Sequence, residues 1–318
     1  MSDKIMWAMM MKFGSNMWGK KGAIQRFDSE ANYHETMFMD RKTWREVTDF
    51  MPKAGINTLL MDMGEGMKFD SHPELAVPGS WEKSEVKEEV ARLREMGINP
   101  IPKMNFSGEH NAWLQDWGRM VGTESYYQMT QEIIEEMIEV FGTPEFLHLG
   151  LDEEGEGSIP TTPFTTIRNA PQFVEDAEKL FKVCLDKGVR PWIWIHPHSL
   201  EHAFGGKEYF CEHVPKDVLV SNWYYYNYAT SKSGWPQLNG KLAEWGYENV
   251  PCCSTWNQVM NTKHTLKWCK DHVEQKDKLR GYLTAPWLHT IPSNKYGLMN
   301  AAWILKAAKE KYYPEECE

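Results

Sequence analysis

The chain has 318 residues, 42% of them hydrophobic, and a formal charge of -10 at pH 7, which is enough apolar material for one large core or two modest ones. That acidity, with no basic stripe to offset it, argues against nucleic acid as a partner, and no stretch approaches the roughly 20 apolar residues of a membrane span. The N-terminus runs directly into "KIMWAMMMKF", too short and wrongly flanked for a secretory signal. The six cysteines follow no framework spacing, and Cys252 and Cys253 are adjacent, so reduced thiols and a cytoplasmic setting are expected.

In chain order, apolar β-branched runs alternate with amphipathic segments. Strands are expected at 5–11, 56–62, 98–104, 145–151, 190–196, 217–223, 249–255 and 279–285. Helical patterns precede the second to fifth strands: "RKTWREVTDFMPKAG", "SEVKEEVARLREMG", "SYYQMTQEIIEEMIEVFG" and "APQFVEDAEKLFKVCLDKG". "TKHTLKWCKDHVEQK" follows the seventh strand and "YGLMNAAWILKAAKEKYY" the eighth, while the pattern after the fifth, "LEHAFGGKEYFCEHV", is broken by a Gly pair. Eight strands alternating with about eight helices predict a single (β/α)8 barrel over 1–318, in preference to a doubly wound sheet.

The loops orient that barrel. Helix-to-strand connections are terse and share a Gly stop at Gly55, Gly97, Gly142 and Gly188. Strand-to-helix connections are long, at 63–80, 105–122, 153–169 and 224–236. Function in such a barrel sits on the elaborated C-terminal rim. Read at that rim, the strand ends deliver Lys12 and Asn16, Asp62, Asn105, Asp152 and Glu153, then Trp194, His196 and His198. The later strands add Trp223 to Tyr226, Trp256 and Asn257, and Trp287 and His289. Carboxylates, amides and flat aromatic faces together fit a carbohydrate. Pyranose C–H patches lie on Trp and Tyr, and the hydroxyls need Asp, Asn and His.

"LHLGLDEEGEG", 147–157, carries the chemistry. If Leu147, Leu149 and Leu151 face the helices, strand alternation sends His148, Gly150 and Asp152 into the barrel. Glu153 then turns over the same cleft. Two carboxylates so close have pKa values pushed apart, leaving one charged and one able to hold a proton. Glu154 and Glu156 are expected to be solvated or supporting, and His148 to make a structural hydrogen bond. A retaining glycosidase with its own nucleophile needs a second carboxylate about 5 Å across the cleft. Strands six to eight end without one, and Asp62 with Glu65 are the remaining rim acids.

"HLGLDEE", 148–154, resembles the His-x-Gly-Gly-Asp-Glu signature of family 20 glycoside hydrolases, the β-N-acetylhexosaminidases, where it also closes the fourth barrel strand. The resemblance implies that Glu153 protonates the glycosidic oxygen and that Asp152 orients the substrate's 2-acetamido group. That group's carbonyl would be the nucleophile, with retention and without a cofactor. By strand end, Trp223, Tyr225, Trp256 and Trp287 would close round it. The chain departs from the pattern at Leu151, in place of the second Gly, and at Trp287-Leu288-His289, where the family has Trp-Glu.

Two rival readings remain open at this level. One is a metal-dependent barrel using His196, His198 and Asp62 or Asp152. The other is a carbohydrate-binding barrel with an inert carboxylate pair.

Overall fold

The computed structural model describes residues 5–23, 31–154, 164–226 and 234–317. Its eight strands are β1 (Met6–Lys12), β2 (Thr58–Asp62), β3 (Asn99–Lys103), β4 (Phe146–Gly150), β5 (Arg190–Ile195), β6 (Leu219–Asn222), β7 (Cys252–Cys253) and β8 (Gly281–Thr284). All pairings are parallel, in the order β6-β5-β4-β3-β2-β1-β8-β7. The ring closes between β6 and β7 through single bridges, Val220 to Asn249 and Trp223 to Cys252. This is the (β/α)8 barrel that the alternation predicts.

Side-chain alternation sorts the core into two layers. Ala8, Met10, Leu60, Ile101, Phe146, Trp192, Trp194 and Leu283 fill the barrel interior. Their neighbours Trp7, Met9, Met11, Leu59, Met61, Leu147, Leu149 and Ile193 pack outward against the helices.

The helices are α1 (Arg41–Phe50), α2 (Lys83–Glu95), α3 (Glu124–Val140), α4 (Ala170–Asp186), α5 (Pro197–His202), α6 (Lys207–His213), α7 (Leu238–Glu244), α8 (Asn261–His272) and α9 (Lys295–Tyr312). Local chemistry sets several starts: the Asp40, Thr123 and Asn169 side chains accept N–H bonds from the first turns of α1, α3 and α4. The four predicted Gly stops all adopt the left-handed conformation that ends a helix.

Two details differ from the sequence expectation. The segment after β5 forms two short helices, α5 and α6, because Gly205 and Gly206 both take positive φ between them. Strand β7 is two residues long rather than spanning 249–255, with Asn249 contributing only isolated bridges. Among the described residues, no helix is long and apolar enough to cross a membrane.

Candidate active site

The C-terminal mouth of the barrel opens into a cleft of about 560 Å³, within the ordinary range for small-molecule sites. Its walls include Asp152, Glu153 and His110 on one side and Trp223, Tyr225 and Trp287 on the other.

Asp152 reaches the cleft by a local break in the strand rather than by simple alternation. The β4–β5 register shifts between His148 and Gly150, and Gly150 and Leu151 both adopt positive φ, 73° and 64°. Leu151 stays in the outer core, fully buried with Leu147 and Leu149. The kink then aims Asp152 inward, at a cost of about 1–2 kcal/mol for a left-handed leucine. Gly150 is required here. A Cβ at that position would lie 2.0 Å from Asn105 Oδ1, a contact that no side chain tolerates. Trp287 is likewise left-handed, φ 58°, so the cleft is flanked by two strained non-glycine residues at strand ends.

The decisive group is one that the strand ends do not contain. His110, in the loop after β3, donates from Nδ1 to Asp152 Oδ1 at 3.0 Å and from Nε2 to Glu153 Oε2 at 3.1 Å. A single buried imidazole therefore bridges the two carboxylates. Burial alone would lower its pKa, but the charges and hydrogen bonds of Asp152 and Glu153 prevail and raise it to about 10. Burial would also raise the Asp152 carboxyl, and here the His110 charge wins and holds it well below the usual carboxylate range. Direct repulsion between two bare carboxylates, the sequence expectation, is thus replaced by an imidazolium set between them.

Asp152 Oδ1 also accepts from Asn105 Nδ2 at 3.1 Å and Ser107 Oγ at 3.0 Å. The loop carrying His110 is tied to β4 and its extension. Phe106 N–H donates to Leu149 O, Glu109 N–H to Glu153 O, and Gly108 N–H to the Glu154 carboxylate at 3.1 Å. Glu154 is not solvated as expected. It is buried and paired with Arg168, which also binds Asp176 at 3.1 Å and the Phe106 carbonyl at 3.2 Å. Its role is the supporting one. Glu156 lies outside the described residues.

The aromatic wall is a chain of ring contacts. Trp223 stacks on Tyr225 at 5.2 Å, and Tyr225 meets Trp287 edge-on at 6.3 Å. Trp18, from the loop after β1, continues the wall to Trp287 at 6.0 Å and to His110 at 6.2 Å. Trp256 and Tyr226 form the outer lip, with Trp256 60% exposed. Burial pushes the Tyr225 phenol well above its ordinary pKa, so it remains a hydrogen-bond donor.

Of the residues predicted from the sequence, the cleft brings together Asp152, Glu153, Trp223, Tyr225, Tyr226, Trp256, Trp287 and His289. The others stand apart from its lining. Asn105 lies beneath Asp152 as a support, with Oδ1 accepting from Ser107. Asp62 is held by Lys103 Nζ at 2.6 Å. Trp194 is fully buried, between His148 at 4.4 Å and Trp287 at 6.2 Å, and so belongs to the barrel filling. His196 caps α5, with Nδ1 accepting from Ser199 N–H, and burial lowers its pKa to about 4. Asn257 is exposed beyond the lip.

The proposed metal set does not assemble. His196 and His198 stack at 6.1 Å, while Asp62 and Asp152 are engaged by Lys103 and His110. His148 makes the expected structural bond, accepting from Gly150 N–H at 3.0 Å. Among the described residues, the side chains whose ligand atoms converge within 4.8 Å are instead Glu109, His110 and Glu153. His110 and Trp18 are the functional candidates that the sequence reading missed. Both lie in irregular loops, where no periodicity marks which side chain turns inward.

No protein-family model and no curated protein sequence matches the chain. Solved structures do match in fold. An exo-β-N-acetylglucosaminidase of glycoside hydrolase family 20 from Vibrio harveyi, solved with N-acetylglucosamine, aligns over 99% of this chain with TM-score 0.62 and 12% identity. The Flavobacterium johnsoniae chitobiase aligns over 88% with TM-score 0.64 and 16% identity, and dispersin B over 86% with TM-score 0.58 and 13% identity. The chain spans 58% of the Vibrio protein, 49% of the chitobiase and 96% of dispersin B. The barrel thus shares its fold with family 20 structures, a distant resemblance consistent with the signature-like "HLGLDEE".

Proposed function

We propose that the protein is a glycoside hydrolase that removes β-linked 2-acetamido sugars from the end of a glycan by a retaining, substrate-assisted route. The observation that carries this reading is the Asp152–His110–Glu153 bridge on one wall of an aromatic cleft whose described lining holds no other carboxylate. A displacement by an enzymic nucleophile needs a second acid across the ring. Among the described lining residues no further carboxylate faces the pair across the cleft, which favours the substrate's own acetamido carbonyl as the attacking group. Three donors converge on Asp152 Oδ1, so Oδ2 is the oxygen available to accept from the acetamido N–H. Glu153, partly exposed at the cleft wall, takes the proton that His110 Nε2 directs at its Oε2, passes it to the leaving oxygen as general acid, and then acts as the base that activates water. The Tyr225 hydroxyl and the Trp223, Tyr225 and Trp287 faces suit the acetamido group and the sugar ring. The family 20 names of the fold neighbours support the same substrate class. Free thiols at all six cysteines fit a cytoplasmic setting.

A panel of 4-nitrophenyl glycosides with and without the 2-acetamido group tests the reading. The expected outcome is turnover confined to the acetamido sugars, inhibition by a thiazoline analogue of the cyclised intermediate, and loss of turnover by orders of magnitude in Asp152→Asn. Cleavage of plain glucosides at comparable rates would overturn the mechanism. Tight binding of the sugars with no cleavage would favour a binding barrel instead.

A further inference from the structure

We propose that Glu109, His110 and Glu153 form an inhibitory site for a divalent transition-metal ion, zinc being the clearest case. The inference rests on the reading of Glu153 as the acid/base. Three features of the structure carry it.

The first is convergence: one ligand atom from each of the three side chains lies within 4.8 Å of the others. The backbone imposes this approach, because Glu109 N–H donates to Glu153 O and holds the two short segments side by side. The second is the donor set. One imidazole nitrogen with two carboxylates is a combination that suits zinc, whereas magnesium and calcium favour oxygen-only shells. The third is the outer partner. Asp152 accepts from His110 Nδ1 at 3.0 Å, which orients the ring and leaves Nε2 directed at Glu153 and the cleft. Metal-bound imidazoles are characteristically backed by such a carboxylate. Three acids, Glu109, Asp152 and Glu153, surround the one imidazole, with Lys20 and Lys103 the cations whose charges reach Glu109 and Asp152.

A metal ion bound here displaces the proton on His110 Nε2 and replaces the hydrogen bond from that nitrogen to Glu153 Oε2, now 3.1 Å. It therefore takes up Glu153 Oε2, the oxygen that must carry the transferred proton. Since His110 and Glu153 line the cleft, the ion and the sugar compete for one place. Glu109 is the residue that separates metal binding from catalysis, because it is absent from the cleft lining and supplies only the third ligand.

The test uses purified protein freed of metal by chelation, with zinc chloride and magnesium chloride as probes. Zinc binding is measured by calorimetry and turnover on a 4-nitrophenyl 2-acetamido glycoside. Expected are one zinc per chain, inhibition reversed by EDTA, and no effect of magnesium at the same concentration. Glu109→Gln should keep metal-free turnover and weaken zinc binding and inhibition by at least about 10-fold. Equal inhibition of the wild type and Glu109→Gln, or no zinc binding by the wild type, would overturn the site. The glycosidase reading fails separately. Glu109-dependent zinc binding by a protein that cleaves no glycoside would keep the site and discard the reaction, whereas activation by zinc would overturn both.

Discussion

On the β3–β4 side of the mouth, each charged group is held by another. His110 joins Asp152 to Glu153, Asn105 and Ser107 support Asp152, and Arg168 ties Glu154 to Asp176 and the Phe106 carbonyl. On the β6–β8 side the wall is made of ring contacts, Trp223 to Tyr225 to Trp287, with Tyr225 Oη facing the weak partner Cys252 Sγ at 3.7 Å. The contrast separates two tasks. One wall fixes where charge resides, and this needs dense hydrogen bonding because a misplaced buried charge is costly. The other provides shape and apolar area, which tolerates looser definition.

Substitutions on the two walls should therefore fail in different ways. The largest effect is expected from Glu153→Gln, which should lower kcat by about 10²–10⁴-fold while leaving sugar binding in place. Retained turnover would remove Glu153 from the acid/base role. Next comes His110→Asn, which should reduce kcat and destabilise the fold in a pH-dependent way. The His110 pKa is raised from 6.5 to about 10, so its stabilising contribution is complete below its unfolded value. That contribution is lost as pH rises toward 10. The difference in Tm between wild type and variant should accordingly be largest near pH 6 and shrink toward pH 10. A gap that stays constant with pH would show that the imidazolium is not what holds the wall. Gly150→Ala should cost about 2 kcal/mol or more in chemical denaturation, because the new methyl meets Asn105 and the residue is left-handed. The smallest effect belongs to the aromatic lip. Trp256→Ala should raise KM roughly 2- to 10-fold with kcat and Tm unchanged, and a fall in Tm would mean that Trp256 is structural.

Much of the fold was legible from periodicity alone. The strand runs, the Gly stops and the long C-terminal loops each report a local backbone preference. Asp152 and Glu153 were legible because a strand end fixes where the next residues emerge, and the same holds for Trp223, Tyr225 and Trp287. His110 was not. It lies 42 residues before Asp152 in an irregular loop, and the ties from Asn105, Ser107, Gly108 and Glu109 to the chain after β4 bring it between the acids. Trp194 and His196 stand at a strand end, a position that marks the rim but not the depth of a side chain within it. Trp194 stops one layer lower, and His196 turns to cap a helix that begins at once. Leu151, the residue that breaks the signature, has its side chain fixed in the outer core while its backbone bends at positive φ.

The short β7 strand has a mechanical consequence. The ring is continuous by five-residue registers from β1 through β3, but between β6 and β7 it is held by isolated bridges. Such a seam has few backbone hydrogen bonds to break and opens at lower free energy than the β1–β2–β3 arc. Trp223 and Tyr225 follow β6 and Trp256 follows β7, so part of the aromatic wall and its outer lip flank that seam. Amide hydrogen exchange at Cys252 and Cys253 should accordingly run faster than at Leu59 to Met61, although both segments are equally buried.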